Sequence, residues 1–284
     1  MTEVVVWIDA DGVSTTLEHM SFTNRFMPKV IFDADGVPGQ PGEVFREVEH
    51  GSREFGVVFD VVASGESATR TAVRDMVKKL NPKRGAGRFR VTSPVGDQRE
   101  ITCRYSGGAE LDEKVGEDTG PDWQRFPVTF IAHDPYWYDV SPIEQTFTIT
   151  AQAPNFFPIL PIHLAASELA VDSSVDNTGD VQAWPVWTIT GPGSGIKITN
   201  QTSGRYTWFP SLALVAGQTL VIDTRPGEKA VIVDGVTNVY SSLSVDSSLW
   251  SFETGVNGIR LEMSGADNVQ SGLTMRYYRR FLSP

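Results

Sequence analysis

The chain has 284 residues, a net charge of −11, 40% hydrophobic and 21% charged residues, and a single cysteine. That composition is ordinary for globular domains, the length favours two of them over one, and the lone Cys103 excludes an internal disulfide framework. Residues 1–140 carry 16 Lys/Arg against 23 Asp/Glu, and residues 141–284 carry 8 against 12, so neither half suits nucleic-acid binding driven by counterion release.

The opening "EVVVWID" and "STTLEHM" flank Asp11-Gly12 and predict a β-hairpin. The text "DADG" occurs at 9–12 and again at 33–36. Both copies lack the further oxygen ligands and closing Glu of a calcium loop, so both are expected to be turns. "MTEVVVWIDADG" has no basic leader, which predicts no signal peptide and synthesis in a cytoplasm. No apolar run approaches the roughly 18 residues of a membrane span, so no membrane insertion is expected. From Val37 a Pro/Gly-rich loop is expected to lead into a strand at about Glu54–Val62, whose imperfect alternation suggests cover on both faces.

A helix is predicted near 67–80, with Ser67 as N-cap and Val73, Met76, Val77 and Leu80 as its apolar stripe. Asn81-Pro82 ends it. The opposite face carries Arg70, Arg74, Lys78 and Lys79, inside a window (70–90) with eight basic residues and one acid, Asp75. Such a run is usually a solvated face. The sharper reading is an ionic contact with another subunit, for which the acidic loop Asp112–Asp122 is a candidate partner. "GRFRVTSP", "REITCRYSGGAEL" and "WQRFPVTFIAH" read as three more strands. The last runs into Asp134-Pro135-Tyr136-Trp137, where two large aromatics follow a strand-ending proline.

Beyond that point "EQTFTITA" reads as a strand, and the stretch 141–173 as a whole is expected to be an extended crossing segment. From Ser174 to Pro284 short strands alternate with Gly, Pro and Asp-Gly turns, the pattern of a β-sandwich or jelly roll. "WSFET" at 250–254 is among the expected strands.

Chemistry-bearing motifs are missing. His19, His50, His133 and His163 are isolated from other metal ligands. "GESAT" lacks the second Gly of a nucleophile elbow, and "GPGSGIKIT" has Ile196 where a phosphate loop needs Gly before its Lys. No catalytic residue, cofactor or metal is therefore expected. The aromatics of the sandwich remain: Trp184, Trp187, Trp208 and Trp250 with Tyr206 and Phe209. Packing in a core is weighed against stacking on a sugar, for which Trp187 and Trp208 are the candidates.

Taken in order, the basic helix, "FIAHDPYWYDV", "VDNTGDVQAWPVWTITGPG", the "LVIDT" strand at 220–224 and the closing "SGLTMRYYRRFLSP" resemble the distal tail protein family of long-tailed siphophages, also known as minor tail proteins. The resemblance covers nearly the whole chain, and an actinobacterial host goes with it. It implies a mainly β protein in which residues 1–140 form a tail-tube-like domain and 174–284 a galectin-like sandwich whose last strand is a candidate to return toward the first domain. It further implies a ring, usually a hexamer, in the virion at the tail tip. The expected partners are copies of itself, the tail tube protein, the tail-associated tip protein and receptor-binding proteins or side fibres, with DNA passing through the lumen without sequence-specific binding. Within that scheme Asp134, Pro135, Tyr136 and Trp137 are expected at the junction of the two domains, and Arg70, Arg74, Lys78 and Lys79 at the subunit interface. The alternative is a carbohydrate-binding module that contacts host cell-wall glycans. No sugar-binding galectin residue set is present, so the fold likeness alone does not carry lectin activity.

Overall fold

The computed structural model describes residues 3–36, 38–39, 41–110, 117–147, 168–267 and 269–284. They divide into two compact units, one made of 1–140 with 281–284 and the other of 141–280.

In the first unit the strands are β1 (Val4–Ile8), β2 (Ser14–Thr16), β3 (Glu18–Thr23), β4 (Val30–Gly36), β5 (Glu43–His50) and β6 (Arg53–Val62). Helix α1 (Glu66–Leu80) follows, then β7 (Gly87–Thr92), β8 (Gln98–Gly107), β9 (Trp123–Ala132) and β10 (Trp137–Asp139). The main sheet runs β2-β1-β7-β8-β9-β6-β3, with β10 added on β8. Its pairings are antiparallel, and ten consecutive residues of β6 pair with ten of β9.

Strict alternation builds the core. Phe55, Val57, Phe59 and Val61 of β6 and Phe126, Val128 and Phe130 of β9 point inward, while their neighbours point out. The expected two-sided cover of β6 is thus corrected: Gly56, Val58 and Asp60 are only partly covered and Val62 is exposed. Phe89 stands edge-on to Phe130 with ring centroids 4.6 Å apart, and Trp7 tilts against both at 5.0 and 5.1 Å. Trp7 lies over Gly87, where an added Cβ would come within 2.2 Å of the indole, so only glycine fits there.

Helix α1 buries Met76 and Leu80 against this sheet. Two expectations change. Val77 is 53% exposed and leaves the apolar stripe, which Thr69 joins instead. The N-cap is Gly65, at φ +86, and not Ser67. The Asp122 carboxylate accepts from the Gly65 amide at 2.7 Å, tying the helix start to the loop residue directly before β9.

The first hairpin forms as expected, but through a five-residue loop, because the Asp9 carboxylate accepts from the amides of Asp11 and Val13 and widens it. The second "DADG" is not a turn. Asp33 to Gly36 lie within β4, and Glu43–His50, expected as loop, is the partner strand β5. The turn falls later, where Gly39 and Gly42 take φ of +83 and +91. Charged residues at half of its positions hid β5 from a reading that looked for apolar runs.

The second unit contains β11 (Ile143–Phe147), β12 (Glu168–Asn177), β13 (Val186–Thr190), β14 (Gly193–Asn200), β15 (Tyr206–Trp208) and β16 (Ala213–Leu214). It continues with β17 (Thr219–Asp223), β18 (Ala230–Val233), β19 (Thr237–Asn238), β20 (Gly255–Ser264) and β21 (Gly272–Tyr277). One sheet has the order β11-β21-β13-β17-β18-β19, the other β12-β20-β14-β15 with β16 on β14. A single core cluster joins Trp187, Ile189, Leu220, Ile222 and Val231 of the first sheet to Ile196, Ile198, Ile259, Leu261 and Met263 of the second, which makes a β-sandwich.

The ends of the supposed crossing segment 141–173 are strands of this sandwich, and Phe147 is a core residue. Its middle, including the apolar run after Pro154, lies outside the described residues. "WSFET" is not a strand: Phe252 makes one isolated bridge to Ala183 while its ring fills the core.

Candidate functional site

Asp134, Pro135, Tyr136 and Trp137 all find partners within the first unit. The Asp134 carboxylate accepts from the Tyr138 hydroxyl, and the Tyr136 hydroxyl lies 2.9 Å from His50 Nδ1. Trp137 is fully buried in the main core. Its Nε1 has no acceptor among the described residues, so the side chain acts through volume and shape.

A truncation to Ala should cost the first unit about 3–5 kcal/mol. Trp137→Phe, which loses no hydrogen bond, should recover most of that. Denaturant titration of both variants checks it, and equal losses would contradict a packing role.

The carbonyl of Pro135 accepts from the Arg53 guanidinium at 2.7 Å. Arg53 also donates to the carbonyls of Arg25 and, at 2.8 Å, Leu282. It is 1% exposed. Burial lowers its pKa to about 10 against an opposing pull from Tyr136, leaving it protonated at neutral pH. Nearby, Arg99 lies 3.6 Å over the Phe281 ring and donates to the Ser283 carbonyl at 2.7 Å. Two arginines therefore clamp residues 281–284 onto the unit formed by 1–140. Sequence reasoning missed both. The available signal was Arg53 itself, a charge at an inward-facing position of β6, in step with Phe55 and Val57.

The four basic residues of α1 are not equivalent. Arg70 pairs with Glu66 and Lys78 with Asp75, both exposed pairs within the helix. Lys79 instead turns toward β2 and donates to Thr15 Oγ1 at 2.7 Å, so it leaves the outward stripe. Arg74 is exposed and has no ion-pair partner among the described residues. Residues 112–116 of the acidic loop lie outside the described residues, and Asp122 is engaged by Gly65 in the same chain.

In the sandwich, Trp187 is 1% exposed and packs against Trp250 and Phe252 at centroid distances of 5.5 and 5.9 Å. No ring face is left for a sugar, because its strand position points between the sheets. Trp208 is 37% exposed. It stands opposite Lys197 on the outer face of β14 and β15, in a row that continues through Glu262. Asn200, which opens the glycosylation-type triplet Asn200-Gln201-Thr202, is fully buried, its carboxamide accepting from the amides of Thr202 and Ser203.

Among the described residues no three His, Cys, Asp or Glu side chains gather as a metal site. Cys103 is buried, and burial pushes its thiol well above the usual range, which keeps it unreactive at neutral pH.

Comparison with known proteins adds a family match over part of the chain and a fold. Residues 178–281 match the model of the siphovirus-type tail component, C-terminal domain. No curated protein matches the chain by sequence. Among solved structures, the Dit protein of SPP1, described as a paradigm of the hub adsorption apparatus in phages infecting Gram-positive bacteria, is 12% identical. The match covers 99% of this chain and 100% of that one, with a TM-score of 0.69. A chain of the phage p2 baseplate in its activated conformation aligns over 97% and 98% at 8% identity and a TM-score of 0.49. Residues 178–281 are thus similar to the siphovirus-type tail component, C-terminal domain, and the chain from end to end has the mainly β fold seen in the SPP1 hub protein Dit.

Proposed function

We infer that this protein is a structural hub at the distal end of a phage tail, forming a ring that joins the tail tube to the tip apparatus and continues the channel for DNA. The observation that carries this reading is the tail-component match over 178–281, set in a chain whose entire fold follows Dit. Its work is done by shape and self-association, without a bond-making centre. The ring is a hexamer, and its partners are the tail tube protein, the tail-associated tip protein and receptor-binding proteins or side fibres.

Two features of the first unit support self-association. Among the described residues its main sheet is open, ending at β2 and β3, and open edges call for cover. The β4–β5 hairpin forms a separate two-stranded sheet with Phe32 68% and Phe45 60% exposed, an apolar display that a lone monomer rarely carries.

Class averages of the purified protein and of intact tail tips should show a closed annulus with six lobes. A monomer in both samples would overturn the hub reading.

A second reading, glycan contact, rests on Trp208 alone, beside Lys197, Glu262 and Arg260. Titrating intrinsic fluorescence with cell-wall glycans, using Trp208→Ala as control, tests it. A quench that survives the substitution, or none at all, counts against that face.

A further inference from the structure

The β4–β5 hairpin has two chemically different faces. Residues opposite one another in an antiparallel pair share a face. The pairs Val30–His50, Phe32–Val48 and Ala34–Phe45 make one side apolar. The pairs Ile31–Glu49, Asp33–Glu47 and Asp35–Val44 make the other side acidic with aliphatic edges. A register shift between Asp33 and Ala34 keeps this division by leaving Arg46 unpaired in the ladder, where it reaches the Asp35 carboxylate. Between residues 30 and 50 there are five acids and one arginine.

Asp33 directly opposite Glu47 is a like-charge pair, an arrangement that weakens a hairpin. Two strands with no third neighbour are already marginal in water. Arg46 answers Asp35 from within the hairpin, but Asp33, Glu47 and Glu49 of the acidic face have no cation partner among the described residues.

The chain offers a complement. On α1, Arg70, Arg74, Val77 and Lys78 fall at i, i+4, i+7 and i+8, one exposed stripe of cations around an aliphatic side chain. Arg74 to Lys78 spans about 6 Å along the helix. Asp33 to Asp35 spans about 6.5–7 Å along the strand. The charges match in sign and spacing, and Ile31 and Val44 can meet Val77.

Resting on the ring reading, we propose that the acidic face of the β4–β5 hairpin docks on the outward stripe of α1 in a neighbouring copy of this chain. The pairing uses Asp33, Asp35, Glu47 and Glu49 on one subunit and Arg70, Arg74 and Lys78 on the next. It is head-to-tail, so it repeats around a closed ring without leaving either surface bare.

The test uses the full chain in analytical ultracentrifugation, with three variants at exposed positions. Arg74→Glu with Lys78→Glu, and separately Asp33→Lys with Glu47→Lys, should each weaken assembly at least about tenfold. Combining the two charge reversals in one chain should restore it. Raising ionic strength should weaken assembly of the parent protein. If the parent forms a ring and neither reversal weakens it, the hairpin–helix pairing is wrong while the hub reading stands. If each reversal disrupts assembly and the combination fails to rescue, the residues do not meet. If the parent assembles neither alone nor in tails, the hub reading falls and takes this pairing with it.

Discussion

Deleting Phe281–Pro284 should unfold the first unit or leave it at the edge of stability. Phe281 is a buried member of the core formed by residues 1–140, and losing a buried phenylalanine costs about 3–5 kcal/mol. The deletion also removes the Leu282 carbonyl from Arg53 and the ring and Ser283 carbonyl from Arg99. A hydrogen bond to a charged group contributes about 1.5–3 kcal/mol. Together these losses reach about 5 kcal/mol or more, comparable to the whole stability of many domains. Hydrogen exchange on β6 and β10 in the deleted protein should show protection collapsing. Protection equal to that of the parent would mean that the clamp contributes nothing. Arg53→Ala should act in the same direction, because it takes the guanidinium from three carbonyls, that of Pro135 buried, and Phe281→Ala alone should reproduce most of the deletion.

The second large effect belongs to the sandwich. Trp187→Ala should destabilise the second unit by about 3–5 kcal/mol, since the ring joins Trp250, Phe252 and Phe147 in one aromatic cluster. Near-ultraviolet circular dichroism should lose intensity at once, with the melting transition moved down. Trp187→Phe should give a smaller loss by partly filling the cavity. A wild-type melting curve for Trp187→Ala would show that the cluster is decorative, and would reopen the sugar-stacking role that burial now denies it.

Much of the architecture was legible because alternating burial writes itself into residues. β7 and β9 show inward Phe and Val at every second place, and the Gly- and Asp-Gly-punctuated second half reads as a sandwich for the same reason. The helix was legible from Met76 and Leu80 and its Asn81-Pro82 stop.

What was not legible depends on residues distant in sequence. β5 carries charge at half its positions and is exposed, so no burial pattern marks it. Trp187 and Trp208 differ in fate by which side of a strand they occupy, and two tryptophans in similar aromatic text give no hint of that. Val77 looked like stripe, but the helix meets the sheet along Met76 and Leu80 and leaves it outside. The clamp was invisible because Arg53, Arg99 and Leu282 lie up to 229 positions apart.

That distance has a bearing on how the protein is made. Residues 281–284 are translated after the whole of the sandwich, yet they complete the body built from 1–140. A polypeptide cut short by a broken message or a protease within the sandwich would carry a first body with a gap in its core and two arginines each missing an acceptor. Such a fragment would be an inferior building block, because the first body is complete only in copies that carry residues 281–284.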